Sequence, residues 1–197
     1  MPTHHKKKLL GKVERVQSDL WKDEELKELV EMENTCVHLV RTKKQIPMRP
    51  LQWEKVDSNI KLLMDSFLYR FDKELGGWLV AYRSIRVMSR FGLVMWDEVK
   101  QFHPQLVKIE IEGDFYVFKP EVGKRLTGVI KKVLAYQLEV EALKGFRVTL
   151  PKFFADTVEW TGNRLIKDHI ISFTIDHINT HMNPYIRGIV IKRMINR

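Results

Sequence analysis

A single cysteine, Cys36, stands in a chain of 197 residues. A lone thiol excludes an internal disulfide framework and fits a reducing compartment such as the cytosol or nucleus. Long apolar runs are also missing. No uninterrupted stretch approaches the roughly 18 residues that a membrane span requires, so the chain reads as soluble. The basic N-terminus, MPTHHKKKLLGKVERV, is followed by no apolar segment of signal-peptide length, which argues against secretion. The CxxC pairs, HExxH and nucleophile elbow that announce the commonest zinc and hydrolase chemistries are absent.

What is present is an ordinary globular composition, 44% hydrophobic and 30% charged, enough to bury a core in one or two domains. The net charge of +9 is unevenly spread. From Pro120 onward thirteen Lys/Arg face seven Asp/Glu, whereas Asp19 to Glu33 holds seven acids against Lys22 and Lys27. Such segregation points to a polyanion-facing C-terminal part and a differently employed N-terminal one, although a solvated basic surface would look the same.

DEELKELVEMEN has carboxylates in its first turn and Leu26, Leu29 and Val30 on one face, as a short helix requires. TCVHLVRTK then alternates like a strand. In QIPMRPLQW, prolines 47 and 50 argue against a regular helix or a central strand, and predict a loop rich in large apolar groups. VDSNIKLLMDSFLYRFDKELGG carries Ile60, Leu63, Met64, Phe67, Leu68, Phe71 and Leu75 as one apolar stripe, predicting a helix that reaches the Gly76-Gly77 stop. WLVAYRSIRV, FGLVM and LVKIEIEGDFYVF read as antiparallel strands, the last with Val107, Ile109 and Ile111 on its buried face and Gly113 as a bulge or bend. The first half is therefore a helix packed on an antiparallel sheet, an α+β unit.

After Pro120 come five short strand candidates, GKRLTGVIKKV, AYQLEVEA, GFRVTLP, LIKDHIISFTIDHI and YIRGIVIKRMI, with a helical turn at PKFFADTVEW between the third and fourth. That is the element count of a small OB-type β-barrel. Gly123 and Gly128 have the separation of a phosphate-binding loop, but Val129-Ile130 stand where Lys and Ser/Thr are needed, so that reading fails. Instead Leu126, Gly128 and Ile130 share one strand face, where the glycine lets the strand coil around a small barrel.

The stretch IEIEGDFYVFKPEVGKRLTGVIKKV resembles the junction of the two domains in the stalk subunits of archaeal and eukaryotic RNA polymerases. With GFRVTLPK downstream and HLVRTKKQIPMRPLQW upstream, it is most similar to the larger stalk subunit of RNA polymerase I, over about Thr35 to Ile195. Those subunits usually carry long charged tails, whereas this sequence ends at Arg197, just after the last strand candidate. The resemblance implies a leader at 1–34, a polymerase-docking α+β domain at 35–119 and an OB-fold domain at 120–197. It implies a non-catalytic subunit without cofactor, in the nucleus and nucleolus. Its partners would be the polymerase core subunits, a smaller helical stalk subunit, a transcription initiation factor and nascent RNA, with no membrane.

Within that frame Met48, Pro50 and Leu51, with Phe91, Met95 and Trp96, are the candidates for partner docking, because apolar groups on loops make interface anchors. Capping the end of their own sheet would explain them equally. Lys124, Arg125, Lys131, Lys132 and Arg147 would attract phosphates, and Tyr136 and Phe146 would stack bases. Ordinary strand surface accounts for each of them singly. The one metal-like cluster, Asp176, His177 and His181 with His169, falls in a turn between strands, where two histidines four apart do not share a face. A free-standing OB-type RNA-binding factor of ribosome biogenesis or translation remains the alternative to the stalk subunit.

Overall fold

The computed structural model describes residues 17–49, 56–88, 93–96, 102–151, 165–181 and 184–193, without the side chains of 93–96, 102–106 and 191–193. The elements are α1 (Asp23–Glu31), a single 3₁₀ turn (Glu33–Thr35), β1 (Val37–Met48), α2 (Val56–Phe67), β2 (Phe71–Asp72), β3 (Gly77–Val87), β4 (Leu93–Trp96) and β5 (Phe102–Phe118), then β6 (Arg125–Val133), β7 (Gln137–Ala142), β8 (Phe146–Pro151), β9 (Ile170–Asn179) and β10 (Tyr185–Arg193). The fold is thus α+β, with helices, a five-stranded sheet of order β1-β5-β3-β2 to which β4 adds by pairing β5, and a closed barrel of order β10-β8-β7-β6-β9.

Two compact units divide the chain. The first takes Arg41–Ser66 and Tyr82–Asp114, together with Gln17 and Ser18. In it α2 buries Ile60 and Met64, and the Tyr82 hydroxyl of β3 donates to Asp65 Oδ1 at 2.6 Å. Ile109 and Ile111 of β5 are fully buried, as their alternation predicts, and the strand runs unbroken through Gly113, whose missing side chain makes room for Ile85. Arg83 is buried but satisfied: its Nη1 donates to Ser18 Oγ at 3.1 Å and to Tyr82 O at 3.2 Å.

Two expectations about the first half change. The helix α2 stops at Phe67 rather than reaching Gly76. Tyr69 takes a positive φ of 59° and its N–H joins Leu79 O, so residues beyond it pair with β3 instead of extending the helix. Asp72 Oδ1 then accepts the N–H groups of Glu74 and Leu75, closing the turn into β3. Pro47 lies inside a strand, not in a loop: β1 is at the edge of the sheet, where a ring nitrogen without a hydrogen can face away from the ladder.

The second unit gathers Asp19–Val40, Phe67–Ala81 and Phe115–Arg197. Its barrel pairs β6 antiparallel to β7 and β9, β7 antiparallel to β8, and β9 antiparallel to β10, and it is closed by a short parallel contact of β10 with β8. Strict alternation fills it. Leu126 and Ile130 of β6, Leu138 and Val140 of β7, Val148 and Leu150 of β8, and Ile171, Phe173 and Ile175 of β9 are all buried. Gly128 shares the inward face of Leu126 and Ile130, and a Cβ there would come within 2.8 Å of Glu141 O. Gly123, at φ 90°, turns the chain into β6, its N–H held by Ile175 O. The predicted helical turn at PKFFADTVEW lies outside the described residues.

Candidate nucleic-acid interface

The basic face expected on the barrel is formed by β6 and β7, and its charges are largely answered locally. Lys131 Nζ lies 3.2 Å from Glu141 Oε1, and Lys132 Nζ lies 3.1 Å from Glu139 Oε2. The second pair follows directly from the register, which sets Lys132 opposite Glu139 after a bulge at Lys131. Lys124 is 3.3 Å from Glu33, beyond the end of α1. Exposed pairs of this kind contribute little stability, but each places a carboxylate where a phosphate would have to come. Arg125 and Arg147 are exposed, and Tyr136 is 65% exposed at the end of the β6–β7 turn.

Phe146 is placed otherwise than expected. It is 4% exposed, with its ring 5.4 Å from that of Trp78 and 5.1 Å from that of Phe118, both edge-on. A ring so enclosed belongs to the core and has no face left for a base. Of the partner-docking candidates, Met48 is 1% exposed and packs inward at the end of β1, so it presents no anchor in this structure. Pro50, Leu51 and Phe91 lie outside the described residues, and Met95 and Trp96 are described only by their backbone in β4.

The acidic leader forms part of the second unit. Trp21 and Leu26 are buried in the same apolar cluster as the barrel side chains. Trp21 Nε1 donates to Tyr69 Oη at 3.3 Å, and that hydroxyl donates to Leu143 O at 2.8 Å. Leu143 and Lys144, in the β7–β8 turn, both have positive φ, 48° and 59°. Lys144 is fixed there by Glu25, at 2.6 Å, and by the Trp21 ring, 4.3 Å below its ammonium. Glu25 also reaches back to the Lys22 N–H at 2.8 Å. The hydrogen bond from Lys144 and then that from the Lys22 backbone hold the Glu25 carboxyl below its ordinary pKa. Burial pushes the Tyr69 phenol up, opposed by the hydrogen bond from Trp21, and burial likewise raises the Cys36 thiol.

Still within the second unit, a cleft of about 870 Å³ opens along the β2–β3 segment and is lined by Tyr69, Arg70, Phe71, Lys73, Trp78 and His181. None of these residues is singled out by the sequence pattern as a nucleic-acid contact. The apolar spacing assigns 68–75 to a helix, and only the positive φ at Tyr69 and the pairing with β3 turn Arg70 and Lys73 toward this cleft. The histidine cluster is dispersed. Asp176 is bound by Arg187 at 2.7 Å, His177 faces the Tyr185 ring at 5.9 Å, and among the described residues no three His, Cys, Asp or Glu side chains come together as a metal site.

No protein-family model matches this chain. Curated proteins do. The DNA-directed RNA polymerase I subunit RPA43 of Homo sapiens is 27% identical over 124 residues, covering 63% of this chain and 35% of that protein. Its counterpart in Danio rerio is 28% identical over 105 residues, 53% of this chain and 25% of that protein. The probable subunit of the same name in Dictyostelium discoideum is 22% identical over 124 residues, 63% of this chain and 33% of that protein. The chain thus matches between a quarter and about a third of the length of these relatives. It carries an α+β sheet followed by an OB-like closed barrel and is distantly similar, at 22–28% identity, to RNA polymerase I subunits.

Proposed function

We propose that this chain serves as a non-catalytic stalk subunit of RNA polymerase I in the synthesis of ribosomal RNA, in the nucleus and its nucleolus. One observation carries the reading: similarity to RPA43 proteins of animals and an amoeba coincides with a sheet whose last strand, β5, leads within a few residues into the first strand of an OB-like barrel. The α+β part, around 35–119, docks on the polymerase core through Pro50, Leu51, Phe91, Met95 and Trp96. The barrel part, around 120–197, contacts nascent RNA. A smaller helical stalk subunit and a transcription initiation factor complete the set of partners. The subunit does its work by position, holding transcript and partners beside an active centre that other chains supply.

The test is affinity isolation of the tagged chain from its own cells, with identification of the proteins that come with it. Recovery of the large RNA polymerase I subunits is expected. Replacing Leu51 and Trp96 together by Ser should remove them while the protein stays folded. Co-fractionation with ribosomal particles and no polymerase subunit would instead identify a free-standing RNA-binding factor and sink the stalk reading.

A further inference from the structure

Apart from Arg125, which is exposed and makes no ion pair among the described residues, the cations of the β6–β7 face are already answered. Lys124, Lys131, Lys132 and Lys144 each have a carboxylate oxygen within 3.3 Å. Arg70 and Lys73 are exposed, line the cleft and make no ion pair among the described residues. Arg147, exposed and set opposite Glu141 in the β7–β8 register, lines a smaller hollow of about 260 Å³ that shares Tyr69, Trp78 and Pro184 with the cleft, so the two adjoin. Two acids flank Lys73 in sequence, Asp72 and the exposed Glu74; Asp72 has an oxygen engaged by the turn, accepting from Glu74 N–H at 2.9 Å and Leu75 N–H at 3.1 Å.

The walls supply the second requirement. Tyr69 and Phe71 are half-buried and line the cleft. Phe71 is set edge-on to Trp78 at 4.9 Å, and the Tyr69 hydroxyl is tied at both ends. Rings already immobilised lose little entropy when a base lies against them. The cleft volume falls within the roughly 300–1,000 Å³ of organic-ligand sites, room for a base with its sugar but not for a duplex. Fixed aromatic faces between uncompensated cations are the chemistry of single-strand recognition.

We propose that this cleft, and not the β6–β7 face, is the site where the protein holds single-stranded RNA, with bases against Tyr69 and Phe71 and phosphates on Arg70, Lys73 and Arg147. The inference rests on the RNA contact in the function proposed above and gives it a location. The whole chain is titrated with a fluorescein-labelled oligouridine of about 12 nucleotides, binding being followed by anisotropy over a range of salt. Arg70→Gln with Lys73→Gln, both exposed and outside the core, should weaken binding about tenfold and lower the salt slope by about 1.4, the value for two single-strand phosphate contacts. Lys131→Gln with Lys132→Gln should stay within about twofold of the unmodified protein. The reverse ranking would overturn the location and leave RNA binding standing. Failure of the unmodified protein to bind would overturn both. Equal competition by oligodeoxythymidine would remove the assignment to RNA. Competition by polyglutamate as strong as by oligouridine, lost in the same double variant, would make the cleft a seat for acidic peptides and refute the nucleic-acid assignment.

Discussion

Gly128→Ala should destabilise the barrel although alanine is the smallest change available. The added Cβ would sit 2.5 Å from Val140 Cγ1 and 2.8 Å from Glu141 O. The valine can rotate away, but Glu141 is paired to Val129 in the β6–β7 ladder, so its carbonyl moves only if the ladder opens. Overpacking of this kind costs about 1–3 kcal/mol, and the contact with backbone places the site toward the upper end. Alanine recovers about 0.5–1 kcal/mol by restricting the unfolded chain. The net expectation is a loss of about 2 kcal/mol, which lowers the urea midpoint by about 1 M at a typical slope. Gly123→Ala is the control. Nothing lies within 4 Å of its Cβ position, and its cost arises only from φ 90°. Asparagine, tolerant of positive φ, should therefore recover stability at 123 and lose still more at 128. Urea unfolding of the four variants, followed by circular dichroism, decides the matter. A Gly128→Ala protein as stable as the parent would refute the close approach of β6 to β7.

Further outcomes follow from the same contacts. Phe146→Ala should cost about 3–5 kcal/mol in the same unfolding assay, because it empties an aromatic cluster; a loss below about 1 kcal/mol would mean that the ring is not core. Because the Glu25 carboxyl titrates lower in the folded protein, its contribution is complete above its ordinary value of 4.5 and fades as pH falls through the folded one. Stability measured against pH should therefore fall more steeply on the acid side for the parent than for Glu25→Gln, and parallel curves would refute the Lys144 contact. Cys36, 5% exposed and with its thiol pushed up by burial, should react with a disulfide reagent near pH 8 only as fast as the protein opens; rapid labelling of the folded protein would contradict its placement.

The barrel was legible because period-two alternation survives in β7, in β8 and through most of β6 and β9, and five strand-like segments in a row admit few architectures. Phe146 illustrates a misuse of that signal: it alternates inward with Val148 and Leu150, so the pattern already placed it in the core. The end of α2 was not legible. An apolar stripe at helical spacing continues past Phe67, and what breaks it is a hydrogen bond between Tyr69 and Leu79, a decision made by pairing rather than by local preference. The candidate site was obscured for a related reason. A run of lysines announces charge, but whether that charge is spent depends on cross-strand register, such as Lys132 opposite Glu139, which no local spacing reveals.

The second unit is assembled from three separated stretches, and its leader, Trp21 and Leu26, packs into a cluster most of whose members come after Phe115. On a ribosome the leader therefore emerges about a hundred residues before the turn at Leu143–Gly145 that receives it. At about 5–20 residues per second it waits on the order of ten seconds with a tryptophan and a leucine uncovered. The first unit can close meanwhile, since its last segment ends at Asp114. Synthesis thus lets the first unit close before the second, with Trp21 and Leu26 among the last residues to find their place.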